Sequence, residues 1–347
     1  MRIAFTICSN NYLAQAKALG DSITKTNPGY KFFIGLVDTY SPEIDYSFFQ
    51  PHEILPASEI GVTSFDELWK KYNIIEFNTC VKASFFKYFF KTYQGAQSVF
   101  YLDPDIAVYH SLAILETELE QYNVLLTPHI FTPIPLDGMS PTENHFLNYG
   151  IYNLGFIAIN RECFTNSKFL DWWEERLLTI SYSRPCEGIF VDQLWINLVP
   201  IFFEKVKILS SYGFNAGPWN LHERTVTESN AGSYNMNDGL PLYFYHFSNF
   251  KISERGRISN YYERYSFEGR PHLKTLYNGY YNQLINNKVE TLAVIKCAYM
   301  IQQQKHFKAE LWKNKPQLFL KISGKALKAV IPPVILKLIR LVTKLHV

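Results

Sequence analysis

The chain has 347 residues, 47% of them hydrophobic and 16% aromatic, with a formal net charge of +3. That composition is globular, and the length allows one large domain or two smaller ones around a substantial core. Five cysteines, widely spaced and without a C-x-x-C pair, argue against a disulfide framework and a thiolate zinc site.

Met1-Arg2 leads straight into Ile3–Cys8, which reads as a first strand rather than a signal peptide. It ends at the polar turn Ser9-Asn10-Asn11-Tyr12. A periodic segment, Leu13–Thr26, then predicts a helix stopped by Asn27-Pro28-Gly29. Lys31–Val37 is a second strand, closed by Asp38. Val62–Tyr93 reads as largely helical, with Ser64 and Glu67 in capping-box spacing and Asn78 as a further cap. Ser98–Leu102 and Val124–Leu126 are strands. Residues 127–150 form a long polar loop, in which Ser140-Pro141-Thr142-Glu143 resembles a helix start with Ser as cap and Pro at the first position. A loop of this length beside a site is well placed as a lid. Gly155–Asn160 is a strand, and 166–181 and 188–198 are helices. Val206–Leu209 and Tyr243–His246 are short strands, and 271–312 is helical. Strands alternating with helices predict an α/β fold with a mainly parallel sheet flanked by helices.

The most informative stretch is Asp103-Pro104-Asp105, two carboxylates delivered to the carboxyl end of an apolar strand. Ligands of open α/β sheets bind at that edge. Carboxylate oxygens suit Mg²⁺ or Mn²⁺, which take much of their remaining shell from waters and substrate phosphates. His246, at the end of another strand, is the candidate third ligand; a satisfied core or surface histidine explains the same residue. No G-x-G-x-x-G or P-loop follows strand 1, so Walker-type and dinucleotide sites are disfavoured. Thr6, Ser9, Asn10 and Tyr12 stand at that strand end instead and suit a base and ribose, with Asp38 beside them; a helix cap and a packed Tyr explain the same residues. The Asn153 amide can contact sugar hydroxyls, and Gly155 allows close backbone approach. Asp192 and Gln193 read as the start of an amphipathic helix facing a cavity, or as a solvated helix terminus.

In chain order these pieces are a polar turn after strand 1, Lys82, D-x-D, N-x-G-F, D-Q-x-x-x-N, W-N and H-F. Over residues 1–250 that order resembles the GT-A-fold, nucleotide-sugar-dependent glycosyltransferases, and glycosyltransferase family 8 in particular, which includes bacterial lipopolysaccharide galactosyl- and glucosyltransferases. The resemblance implies metal ligation by Asp103, Asp105 and His246, and donor-sugar contacts from Asn153 and Gly155. It also implies Gln193 near the reacting anomeric carbon with Asp192 beside it, and basic Lys82 near the donor. It implies a retaining transfer from a nucleotide-diphosphate sugar, such as a UDP sugar, with Mn²⁺ or Mg²⁺. Two departures stand out. Leu194 replaces the last acid of the family's D-Q-D. After His246 the family glycine is lost, and its lysine is shifted by one to Lys251. Were the transfer inverting, Asp192, Asp137 or Glu143 would be the candidate base.

After Glu310 the chain carries no acid but Lys313, Lys315, Lys321, Lys325, Lys328, Lys337, Arg340 and Lys344. The body is therefore net acidic and the tail strongly basic. Lysines interleaved with Leu, Ile and Val over 316–347 fit an anionic membrane surface, or a terminal helix packed on the body. Nucleic acid is not expected, because the body offers no second basic face. The expected organisation is a catalytic domain over 1–270 and a helical extension over 271–347. The expected setting is the cytoplasm, peripheral on the inner face of the plasma membrane. The expected acceptor is a glycan or lipid-linked glycan of surface polysaccharide. The rival readings are a sugar-nucleotide pyrophosphorylase, which lacks support because the glycine-rich basic loop after strand 1 is missing, and a non-catalytic glycan- or membrane-binding module, which has no need of this ordered set.

Overall fold

The computed structural model describes residues 1–230, 232–237 and 239–321. The chain forms two units, Met1–Met300 and Ile301–Val347. In the first, β1 (Arg2–Cys8), α1 (Leu13–Thr26), β2 (Tyr30–Leu36) and β3 (Glu53–Pro56) lead to three consecutive helices. These are α2 (Phe65–Lys71), α3 (Ile74–Cys80) and α4 (Lys82–Thr92). Then follow β4 (Ser98–Leu102), β5 (Ile106–Val108), α5 (Ala113–Leu119), β6 (Val124–Pro128), α6 (Glu143–Tyr149), β7 (Tyr152–Asn160), α7 (Arg161–Asn166) and α8 (Phe169–Ile180). A small hairpin, β8 (Ser183–Arg184) and β9 (Ile189–Phe190), precedes α9 (Val199–Phe202) and β10 (Val206–Ile208). The remaining strands are β11 (Val226–Asn230), β12 (Ser233–Met236), β13 (Leu240–Pro241) and β14 (Phe244–His246). Helices α10 (Leu273–Asn286), α11 (Val289–Leu292) and α12 (Ala298–Lys321) follow.

The main sheet has seven strands in the order β10-β6-β7-β4-β1-β2-β3. Only β7 opposes its neighbours; the other pairs are parallel. This is the expected α/β class. Side chains alternate across the sheet. Ala4, Phe32, Ile34, Phe100 and Phe156 pack toward Leu13, Leu19, Leu276 and Tyr280. Ile3, Phe5, Phe33, Val99 and Ile157 pack toward Phe77, Phe85, Phe89 and Trp173. Phe5 is wedged among Phe86, Phe89 and Tyr101, with ring centroids 5.0, 5.0 and 5.2 Å away. Truncating such a ring to Ala costs about 3–5 kcal/mol. Helix α10 contributes Leu276, Tyr277 and Tyr280 to this core.

Several local expectations need correction. Ser64 adopts the left-handed region (φ 56°) and caps nothing with its side chain. The capping box belongs to Asn73 and Glu76 at the start of α3, and Asn78 lies inside that helix. The Ser140–Pro141 peptide is cis, and α6 starts two residues later than expected, at Glu143, with Thr142 before it. The segment 188–198 is not one helix: Gly188 (φ 72°) and Val191 (φ 38°) break it into β9, a turn and a short 3₁₀ segment, Leu194–Leu198. Asp192 and Gln193 therefore stand in a turn. Among the described residues no helix is long and apolar enough to cross a membrane. From residue 322 on, the basic tail of 316–347 lies outside the described residues.

Candidate active site

β4 and β1 are parallel neighbours, and the chain proceeds from them to opposite sides of the sheet. Such a switch point leaves a crevice beyond the carboxyl ends. The turn after β4 carries Asp103 and Asp105. Its backbone is held by Asp103 N–H donating to Gly155 O at 2.8 Å and Ile106 N–H donating to Asp103 O at 3.1 Å. β5 then leaves the main sheet and pairs antiparallel with β14, with Ile106 opposite His246. Phe247 N–H donates to Asp105 O at 2.8 Å. This two-stranded pairing brings a residue distant in sequence onto the carboxylates.

His246 Nε2 lies 3.0 Å from Asp105 Oδ1 and 3.8 Å from Asp103 Oδ2. One ligand atom from each of the three residues falls within 4.8 Å of the others. Two carboxylates and an imidazole in that space fit a divalent cation of the Mn²⁺ or Mg²⁺ kind. Burial opposes protonation of His246, but Asp105 and Asp103 outweigh it and raise its pKa. Burial raises that of Asp103, against Lys82 and His246, which lower it. The His246 ring stands edge-on to Trp219, centroids 5.1 Å apart, and lies against Gly155. A Cβ on Gly155 would come within 2.6 Å of the imidazole and 2.7 Å of Asn153 Oδ1.

Behind the triad is a buried polar network in which Asn153, Gly155 and the Trp219-Asn220 pair are expected from the sequence but His129 and Asn215 are not. Asn153 Nδ2 donates to His129 Nε2 at 3.0 Å, and Asn153 Oδ1 accepts from Gly155 N–H and Asn215 Nδ2, both at 2.9 Å. Trp219 Nε1 and Asn220 Nδ2 both donate to His129 O. Asn153 is thus placed beside the site, but its amide is engaged inside the protein rather than turned to a sugar.

Lys82 and Asp192 form an ion pair with both side chains almost fully buried. Lys82 Nζ also donates to Leu154 O at 3.1 Å and lies 3.9 Å from the centre of the Tyr101 ring. Gln193 Oε1 accepts from Leu154 N–H at 2.9 Å, and its Nε2 donates to Tyr149 O at 2.8 Å. The structure thus gathers Lys82, Asp192 and Gln193 around the start of β7, next to Gly155.

At the ends of β1 and β2 the expected base and ribose contacts are mostly engaged elsewhere. Thr6, Ser9, Asn10 and Asp38 are buried. Ser9 Oγ donates to Val37 O at 3.1 Å; Asn10 donates to Thr39 O and accepts from the Tyr46 hydroxyl. Asp38 accepts from Thr39 N–H and, at 2.8 Å, from Ala298 N–H at the start of α12. Burial raises the Asp38 pKa, against these backbone donors. Tyr12 is exposed, and Lys251 sits exposed in the loop after β14, outside any ion pair among the described residues. The 127–150 loop is tied at its base by Glu223, which accepts from Phe131 and Thr132 N–H. It is tied at its tip by Arg264, which pairs with Asp137 at 2.6 Å.

No protein-family model matches the chain. It is 25% identical over 261 residues to the uncharacterized protein YfnF of Bacillus subtilis, covering 74% of this chain and 84% of that one. It is 22% identical to YfnD of the same organism, covering 59% and 63%. Among solved structures it is similar to galactosyltransferase LgtC in complex with donor and acceptor sugar analogues. That match is 16% identical and covers 85% of this chain and 98% of the other, at a TM-score of 0.46. It is also similar to the bifunctional glycosyltransferase WbbM, at 14% identity, 88% and 51% coverage, and a TM-score of 0.46.

Proposed function

We propose that this protein is a metal-dependent glycosyltransferase. It would move a hexose from a nucleotide-diphosphate sugar, a UDP sugar by its motif order, to a glycan or lipid-linked glycan acceptor. The observation that carries this reading is the convergence of Asp103, Asp105 and His246 at the crevice between β1 and β4, with Lys82, Asp192 and Gln193 beside it. In such a transfer the bond from the anomeric carbon to the diphosphate oxygen breaks. An acceptor hydroxyl takes its place and gives up its proton. A divalent cation, if held by the triad, would supply charge neutralisation for the departing diphosphate. Asp103 and Asp105 offer the carboxylate oxygens, and His246, wedged against Gly155, offers Nε2. The buried Lys82–Asp192 pair fixes the floor next to the sugar position, and Gln193 joins β7 to the end of α6 across it.

We infer retention of anomeric configuration. The three carboxylates that could serve an inverting enzyme are already engaged. Asp192 is paired with Lys82, Asp137 with Arg264, and Glu143 accepts from Ile134 N–H at 2.8 Å. The basic tail adds an anchor to an anionic lipid surface, where lipid-linked acceptors reside. The test is thermal melting of the protein against a panel of nucleotide sugars, each with Mn²⁺ and with chelator. Stabilisation by at least one nucleotide sugar that depends on Mn²⁺ is expected; equal melting in all conditions would reject the reading.

A further inference from the structure

We propose that Tyr101 is a positioning residue of the metal site, holding Asp103 in ligating orientation and coupling it to the buried Lys82–Asp192 pair. This rests on the reading of the triad as a metal site and deepens it.

Tyr101 is the fourth residue of β4 and is 3% exposed, so its ring cannot reorient without repacking. Phe5 packs at 5.2 Å on one side of it. The Lys82 ammonium lies over its ring, 3.9 Å from the centre, close enough for a cation–π contact. From this fixed ring the hydroxyl donates to Asp103 Oδ1 at 2.5 Å. That bond occupies one carboxylate oxygen of Asp103 and leaves the other, Oδ2, turned toward His246 Nε2. The direction in which Asp103 presents its free oxygen is therefore set by Tyr101.

The imidazole receives no matching support. His246 Nδ1 is buried, and none of the described residues accepts from it. Metal-binding imidazoles ordinarily gain their orientation from such an acceptor. Here the His246 ring is set by packing against Gly155 and Trp219 and by Nε2 facing Asp105. Hydrogen-bonded support for the triad side chains thus falls on Asp103, through Tyr101. The same ring carries Lys82, so a shift of the Lys82–Asp192 pair when a sugar binds would be felt at Asp103.

The experiment is titration of the whole chain with Mn²⁺ alone, following loss of the free-ion signal by electron paramagnetic resonance. It compares the wild type, Tyr101→Phe and Tyr72→Phe. Phe keeps the ring, its packing and the Lys82 contact, so the fold is retained and a melt without metal verifies it. Tyr72 is the control: its hydroxyl also bonds a buried carbonyl, Leu177 O at 3.1 Å, on α8. The expected result is a Mn²⁺ affinity about 10- to 100-fold weaker in Tyr101→Phe, and unchanged in Tyr72→Phe. Equal affinity in wild type and Tyr101→Phe would overturn the inference and leave the transferase reading standing. No Mn²⁺ uptake by the wild type would overturn both.

Discussion

The imidazole of His246 fills the space that a side chain on Gly155 would take. A Cβ there would lie 2.6 Å from the ring and 2.7 Å from the Asn153 amide oxygen, too close for either to stay. Gly155→Ala should therefore displace His246 from Asp105 and abolish Mn²⁺ binding, while the protein remains folded, since the clash is confined to the site. Mn²⁺ titration with a parallel circular dichroism melt checks this. Wild-type metal affinity in the Ala variant would contradict it.

Lys82 and Asp192 are both about as buried as core residues, at 2% and 3% side-chain exposure. Removing one partner of a buried pair strands the other charge. Lys82→Met should lower the unfolding free energy by about 3–5 kcal/mol. Combining it with Asp192→Leu should restore much of the loss, because no charge is then left behind. Urea unfolding of the single and double variants measures this. A single-variant loss below about 1 kcal/mol, as for a surface pair, would mean the pair is solvated.

His129 is buried in the network with Asn153, and burial pushes its pKa down to about 3. Asn153 donates to Nε2, so a proton added there would face another donor. In the unfolded chain the imidazole titrates at its ordinary 6.5. Between those values the unfolded state binds the extra proton, so stability falls as pH drops from 6.5 toward 3. The slope from this residue approaches about 1.4 kcal/mol per pH unit. His129→Gln should flatten the acid limb of a stability–pH curve measured by urea unfolding. An unchanged limb would show that His129 is not buried neutral.

How far the site was legible follows from where its signals lie. Asp103, Asp105 and His246 could be read because each stands at the end of a strand whose apolar run is visible in sequence. The strand that unites them, β5, is an apolar run of only three residues, Ile106–Val108. Its pairing with β14 was therefore invisible. Asp192 and Gln193 were misplaced onto a helix because Ile189, Phe190, Leu194 and Ile196 imitate helical spacing. Only the backbone at Val191 reveals the break. His129, Asn215 and Tyr101 act through partners distant in sequence or through a strand position that looks like ordinary core, so residue type gave no hint of them.

The tail is a sequence-level expectation with its own test. Deleting 316–347 removes six lysine and arginine residues, each worth roughly 1 kcal/mol near an anionic surface. The truncated protein should no longer co-sediment with vesicles containing phosphatidylglycerol, and should keep its donor hydrolysis, because every candidate site residue precedes residue 271. Equal vesicle binding by the full and truncated chains would assign the tail no membrane role.

The most direct test of the central claim is release of nucleoside diphosphate from a panel of nucleotide sugars, by wild type and Asp105→Ala, with Mn²⁺ and with chelator. The account predicts release from at least one nucleotide sugar by the wild type with Mn²⁺. It predicts none with chelator and none from Asp105→Ala at equal fold content. Release that persists in Asp105→Ala or without metal, or no release from any donor by the wild type, would contradict it.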